Sequence, residues 1–421
     1  MTTQRDLLQV DFTRMLPVPV NVYPFNPSIA HWRDDEYLCS FREFVRYPLL
    51  FQTGVSGGVR YDYSTRTETD PNHPWLGFDH CRNLFWQYGV GGGFDNTKIA
   101  LVRIEAGTGR MTLINSIMTD ISRANIQHIE GQDARLLKLD VNRFLLSYNN
   151  HIYNQLIRDG TNCQNGCYLI NTRIITVIPP TNPGGPVNIN MGQDTVLCPN
   201  FSNSTEKNWS FSLVPGNNIV FSYGLAPFHD MFTVNATGAT VTCGNYIQRG
   251  DANNIFARLL QYYNISTPTA HKFHISVTTP TVTITDQNNI YTGVGHIKYD
   301  YRDMGIYPPG SPLLAFHNEM IALGKTFHPV YVYLMFFYSF DMNTGNIVSC
   351  SSMFIPFSTG TLCFPSGLTF NNTTREVILS YGDDDAKCRI LLFSIEKIHQ
   401  VLNRNYVNSE AREVLFLMLP N

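Results

Sequence analysis

A carboxylate two residues from a guanidinium is where chemistry can be sought first. Asp133 and Arg135 stand near the start of EGQDARLLKLDVNRFLLSYNN, residues 130–150, which reads as two adjacent strands joined by a polar turn at 140–142. Alternation along a strand predicts that both side chains point to the same side. An acid beside a fixed cation on a rigid strand is a candidate for acid–base work or for binding a polar substrate. It is also the form of a structural ion pair at a strand start, which the stretch alone favours.

Four further stretches gather polar and aromatic residues at strand ends. FNPSIAHWRDDEYLCSFRE holds Asn26, Pro27 and Arg42, and EKNWSF holds Glu206, Lys207 and Asn208 ahead of a strand. GVGHIKYDY holds His296, Lys298 and Asp300 and leads to LLAFHNEM with His317. FPSGLTF and LSYGDDDAKCR supply Ser366, Tyr381, Asp383, Asp384 and Asp385. Each has a plain alternative: Lys207 as a solvated charge, His317 as a satisfied core histidine, the aspartates as a solvated turn. Most aromatic residues belong in a core, and Trp86 and Trp209 are the two expected at a rim. No metal site is expected, because His128 and Glu130 lack a third ligand and Cys163 and Cys167 lack a second Cys/His pair. The run GVGGGFDNTK lacks the Lys-Ser/Thr ending of a phosphate-binding loop and reads as a turn.

The elements that must hold these residues are strands. Short β-type runs fall at 37–42, 84–88, 99–104, 111–114, 135–139, 144–148, 168–170, 210–213, 218–223, 272–277, 281–284, 313–316, 320–324, 332–340, 347–354, 367–370, 377–381 and 389–394. Helical periodicity is confined to 251–263, 395–402 and 409–417. So many strands with so few crossover helices exclude a parallel α/β sheet and leave a barrel, a sandwich pair or a propeller. Size favours one propeller domain over residues 1–421, with insertions at 179–203 and 226–270 as rim loops and a short helix near the C-terminus.

Composition bounds the partners. Of 421 residues, 43% are hydrophobic and 15% charged, which excludes a largely disordered chain. A formal net charge of −3 without a dense Lys/Arg block argues against nucleic acid. No apolar run is long enough to cross a bilayer, and the N-terminal residues do not read as a secretory signal. Nine cysteines without paired spacing fit free thiols, so the expectation is a cytoplasmic protein with no membrane insertion, a homo-oligomer remaining open.

In order, the motifs N-P, Q-D-A-R, E-K-N, G-x-G-x-I-K, a strand ending in His, F-P-S-G and Y-G-x-x-D resemble the signature order of glycoside hydrolase family 130. That family comprises mannoside phosphorylases and mannosidases, and the related glycosyltransferase family 108 looks much the same. Its acid strand reads E-D-P-R, so Asp133 and Arg135 match while Gln132 and Ala134 depart, and its F-P-C-G becomes Phe364-Pro365-Ser366-Gly367. The resemblance implies a five-bladed β-propeller with a sugar-binding funnel at one end of the inner strands. It implies Asp133 as catalytic acid, with Asn26, Arg42, Arg135, Asn208, Tyr381 and Asp385 on the sugar and Lys207 and His317 on phosphate. It implies no bound cofactor; inorganic phosphate, a sugar phosphate or a nucleotide sugar enters as co-substrate, and the reaction inverts the anomeric centre. An acid must carry its proton, so Arg135 is expected to point at substrate or at another carboxylate instead of pairing with Asp133. Hydrolysis on the same scaffold, with Glu206 or Glu130 activating water, and a catalytically inactive glycan-binding propeller are the alternatives.

Overall fold

The computed structural model describes residues 7–16, 22–45, 61–62, 67–68, 95–115, 131–152, 167–182, 185–197, 208–216, 218–225, 229–237, 240–250, 273–284, 289–300, 309–310, 312–322, 331–356, 360–383 and 387–403. Five antiparallel sheets follow one another along the chain as the blades of a five-bladed β-propeller. Blade I comprises Val22–Arg33, Glu36–Val45, Asp95–Ile104 and Met111–Asn115. Blade II runs through Gly131–Lys138, Arg143–Ile152, Cys167–Ile178 and Asn188–Met191, with Thr195–Val196 also on its third strand. Blade III is Ser210–Val214, Asn218–Gly224, His229–Thr237 and Thr240–Gly250, and blade IV is Phe273–Val277, Ile290–Asp300, Tyr331–Asp341 and Ile347–Cys350. Blade V takes Cys363–Asn371, Glu376–Asp383 and Lys387–Ser394 from the end of the chain and Leu7–Asp11 from its beginning. This last pairing, Leu7 opposite Phe393 through Asp11 opposite Arg389, closes the ring with ladder hydrogen bonds between distant parts of the chain.

Side chains on the two faces of each blade fill the seams. Between blades I and II lie Ala30, Trp32, Leu38 and Leu101 with Ala134, Leu136, Phe144, Leu146 and Ile175. Leu137, Leu145 and Ile174 meet Trp209, Phe211 and Phe221 between II and III. The apolar runs in the sequence are thus blade faces packed on blade faces, and period-2 alternation sends successive residues into opposite seams.

Several expectations are corrected. The runs at 313–316 and 320–324 are not strands but one helix, Pro312–Ala322. Proline suits the first helical turn, and Phe316 and Met320, four apart, bury one face while Asn318 and Glu319 stay exposed. Residues 226–270 are not only a rim loop, since they hold the two outer strands of blade III, whose small and polar residues hide the pattern. Residues 179–203 likewise contribute Asn188–Met191 and Thr195–Val196 to blade II. The run at 281–284 makes a single bridge, Val282 to Thr292. The C-terminal helix forms over Ile395–Asn403. The runs at 251–263, 409–417 and 84–88 lie outside the described residues, among which no helix is long and apolar enough to cross a membrane.

One buried histidine ties blade III to blade IV. His229 donates from Nδ1 to the carbonyl of Gly345 at 2.8 Å, so Nε2 accepts from the Ser222 hydroxyl at 2.7 Å. Burial, partly opposed by the carbonyl of Gly345, lowers its pKa from 6.5 to about 4. The unfolded chain therefore binds a proton more readily, and the contribution present above pH 6.5 is lost as pH falls toward 4. Urea melts of wild type and His229→Gln at pH 7.5 and 4.5 should show wild type losing about 3 kcal/mol more than the variant between the two. Parallel losses contradict the assignment.

Candidate active site

The inner strands put their polar residues at one level. On blade I the register jumps from Phe25 opposite Arg42 to Ser28 opposite Ser40, a bulge that re-aims Asn26. On blade II it jumps from Gln132 opposite Asn149 to Arg135 opposite Ser147, a bulge containing Asp133. On blade V it jumps from Pro365 opposite Tyr381 to Gly367 opposite Ser380. Asn26, Asp133 and Asn208 have φ of 46°, 52° and 63°, three of the five left-handed non-glycine residues among those described. After glycine, Asn and Asp bear this conformation at least cost, and its concentration at the inner edges of three neighbouring blades marks a functional level.

Asp133 is the centre of it. Its Oδ1 accepts from Asn26 Nδ2 at 2.9 Å and from Arg42 Nη1 at 3.2 Å, and the residue is 8% exposed. Arg42 in turn lies over the Phe25 ring, 4.9 Å from its centroid. Asn26 fits because Gly382, on the second strand of blade V, has no side chain. A Cβ there would lie 1.8 Å from Asn26 Oδ1.

Arg135 does something other than expected. The bulge breaks the alternation that would set it beside the Asp133 carboxylate. Its Nε donates to the Thr278 carbonyl, its Nη1 to the Asp133 carbonyl at 3.0 Å, and its Nη2 to Asn208 Oδ1 at 3.0 Å. One fully buried guanidinium thus joins blades II, III and IV, and burial draws its pKa down to about 10 against the pull of Asp133. Its bonds hold the wall, so the expectation that it points at substrate or a carboxylate is corrected.

Beside it stands His296, a residue singled out in the sequence but left without a site role. It is buried, bonds Thr278 Oγ1 from Nδ1 at 2.8 Å, and packs on Tyr333 and Phe364. Burial above all, then the charges of His274, Arg135 and Lys298, holds its pKa well below 6.5. A signal for it existed in the register of blade IV, where His296 lies opposite Ser276 and Lys298 opposite His274.

The remaining expected residues divide. Asn26, Arg42, Asp133, Arg135 and Asn208 come together. His317 does not end a strand; it lies in the helix Pro312–Ala322, with Nδ1 3.5 Å from the Tyr299 hydroxyl, and burial lowers its pKa. Alternation puts Tyr299 on the opposite face of its strand from His296. Tyr381 is fully buried, and its hydroxyl accepts from Gln9 Nε2 at 2.7 Å on the outermost strand of blade V, so its ring runs away from the inner strands. Trp209 is not at the rim but 1% exposed and stacked on Phe221 at 4.6 Å. Lys207, Asp385, Glu130, Glu206 and Trp86 lie outside the described residues.

If Gly382 exists to seat Asn26, Gly382→Ala should cost about 1–3 kcal/mol of stability in urea melts. The cost should fall by at least half in an Asn26→Ala background, and an equal cost in both backgrounds contradicts the coupling.

No protein-family profile and no curated protein matches the chain. Among solved structures it is similar to the β-1,2-mannobiose phosphorylase of Listeria innocua, at 10% identity over 94% of this chain and 99% of that one, TM-score 0.46. It is also similar to MPT-4, a mannose phosphorylase from Leishmania mexicana, at 10% identity over 93% and 90%, TM-score 0.39. A third is MPT-1, a GDP-Man-dependent mannosyltransferase from Leishmania mexicana, at 10% identity over 93% and 91%, TM-score 0.40.

Proposed function

We propose that this chain is a carbohydrate-active enzyme that acts on mannose-type glycosides with inversion, as a phosphorylase or a glycosyltransferase of phosphorylase type. The observation that carries it is a bulged carboxylate, Asp133, bonded by Asn26 and Arg42 of the neighbouring blade, with the left-handed Asn208 of a third blade held beside it through Arg135. The order of motifs along the chain supports the substrate class.

In this reading Asp133 is the acid. Oδ1 accepts hydrogen bonds from Asn26 and Arg42, and this reading places the proton to be given away on Oδ2. It passes, directly or through a sugar hydroxyl, to the glycosidic oxygen. The C1–O bond breaks with its electron pair going to that oxygen, and a phosphate oxygen forms the new bond to C1 from the opposite face. The products are a sugar 1-phosphate and the freed alcohol, leaving Asp133 as carboxylate. With a sugar phosphate or nucleotide sugar as donor, the acceptor hydroxyl forms the new bond to C1 and gives its proton to the Asp133 carboxylate, while phosphate or the nucleotide leaves with the electron pair of its C1–O bond. Asn26 and Arg42 fix the carboxyl, and Asn208 and Arg135 hold the wall beside it.

The anion is assigned to Lys207, the sequence neighbour of Asn208, and to the imidazole of His296, which stands with Arg135. Asp385 is assigned to sugar hydroxyls from its motif. The buried ion pair between Arg42 and Asp133 favours a second reading, a glycan-binding propeller without turnover.

Turnover of a β-mannobiose with and without phosphate separates the readings. Phosphate-dependent formation of a sugar 1-phosphate, lowered at least about 10³-fold in Asp133→Asn, is expected. Turnover indifferent to phosphate sinks the phosphorylase reading in favour of hydrolysis. Sugar binding by both proteins with turnover by neither supports the second reading.

A further inference from the structure

Opposite Gln132, on the strand paired with the one that carries Asp133, lies an amide that the protein itself does not satisfy. Asn149, on the second strand of blade II, has no exposed surface, and neither its Oδ1 nor its Nδ2 has a hydrogen-bond partner. Asn26 and Asn171 also carry an unbonded Oδ1, but each keeps Nδ2 bonded, to Asp133 and to Asp194. Among the described residues Asn149 is the one carboxamide with both ends unmet. Buried polar groups are almost always paired, so this exception needs a cause.

Its position supplies one. Leu145 lies opposite Leu137 and Ser147 opposite Arg135, and both leucines pack with Trp209 and Phe211 toward blade III. Alternation continues this row to Asn149, opposite Gln132, the residue before Asp133. The carboxamide therefore belongs to the face from which Arg135 reaches Asn208 and Thr278, one row nearer the end that holds the Asp133 carboxylate.

We propose that Asn149 is a specificity-determining residue that binds one hydroxyl of the sugar; this rests on reading the site as a carbohydrate site. An amide offers an acceptor and donors side by side, and a hydroxyl both donates and accepts, so one ligand group meets both ends. A phosphate oxygen bearing no proton only accepts and leaves Oδ1 unmet, which selects the hydroxyl over the anion. The unmet amide lowers the stability of the unliganded fold, a cost expected where a side chain is kept for function.

Asn149→Leu, with the same branching at Cγ and no polar atoms, tests this. The melting temperature should hold or rise, by about 1–2 °C. KM for a β-mannobiose should rise about tenfold while kcat stays within about threefold. A lower melting temperature with unchanged KM overturns the proposal; should the variant not fold, Asn149→Ala carries the same kinetic readout, and unchanged KM there overturns it too. Sugar-induced melting shifts separate this from the acid assignment. Asp133→Asn should keep the shift with β-mannobiose and Asp133→Asn/Asn149→Leu should lose it. A shift kept in the double variant overturns the role of Asn149 alone, and a shift absent from Asp133→Asn overturns the sugar reading and this proposal with it.

Discussion

The inner strand of a propeller blade has one neighbour in its own sheet and faces the axis with its other edge, so its outward-turned N–H and C=O groups need partners from elsewhere. Here serine and threonine hydroxyls meet that need across the seams. Leu136 N donates to Ser28 Oγ at 3.0 Å between blades I and II, and Ile29 N to Ser380 Oγ at 3.1 Å between I and V. Ser366 Oγ donates to the Pro27 carbonyl at 2.6 Å, and Ser210 Oγ to that of Thr279. Gly367 permits this closeness, since a Cβ on it would stand 2.6 Å from Ile29 N and 2.7 Å from Ser28 Oγ. Arg135 is the largest member of the set, a cation spent on two backbone carbonyls and one amide oxygen.

The site follows from how that edge is interrupted. Where a bulge lifts a residue out of the ladder, its side chain is freed from the seam and can be turned along the axis. Asn26 and Asp133 sit in such bulges, Asn208 sits just before the first strand of blade III, and all three take a left-handed backbone. Their neighbours Ser28, Leu136 and Ser210 are bonded or packed across seams, so strain at the bulges is held by regular structure beside them.

This division explains what the sequence shows. The strands are legible because seams are filled by alternating apolar residues, and the short C-terminal helix because its apolar residues recur at helical spacing, whereas the blade count comes only with the family resemblance. The inner strand of blade I, Val22–Arg33, escapes notice because Pro24 and Pro27 break its pattern, and the closing strand Leu7–Asp11 because nothing local reveals a partner hundreds of residues away. The types at the site, Asn26, Arg42, Asp133 and Asn208, are readable from motif order. Their directions are not, since a bulge shifts alternation by one residue and so separates Arg135 from the Asp133 carboxylate. Trp209 and Tyr381 are read from the sequence as rim or sugar contacts, yet burial claims both for the core, while His296, which the G-x-G-x-I-K motif encloses without assigning it a role, packs with Arg135 around Phe364.

The account requires that Asp133 Oδ2 face a sugar. A crystal structure of the protein soaked with a β-mannobiose and phosphate measures this directly. The predicted result places the glycosidic oxygen, or one sugar hydroxyl bridging to it, about 3 Å from Oδ2, with phosphate on the far side of C1. Sugar bound elsewhere, with Asp133 still held by Asn26 and Arg42 and touching no ligand, would contradict the account.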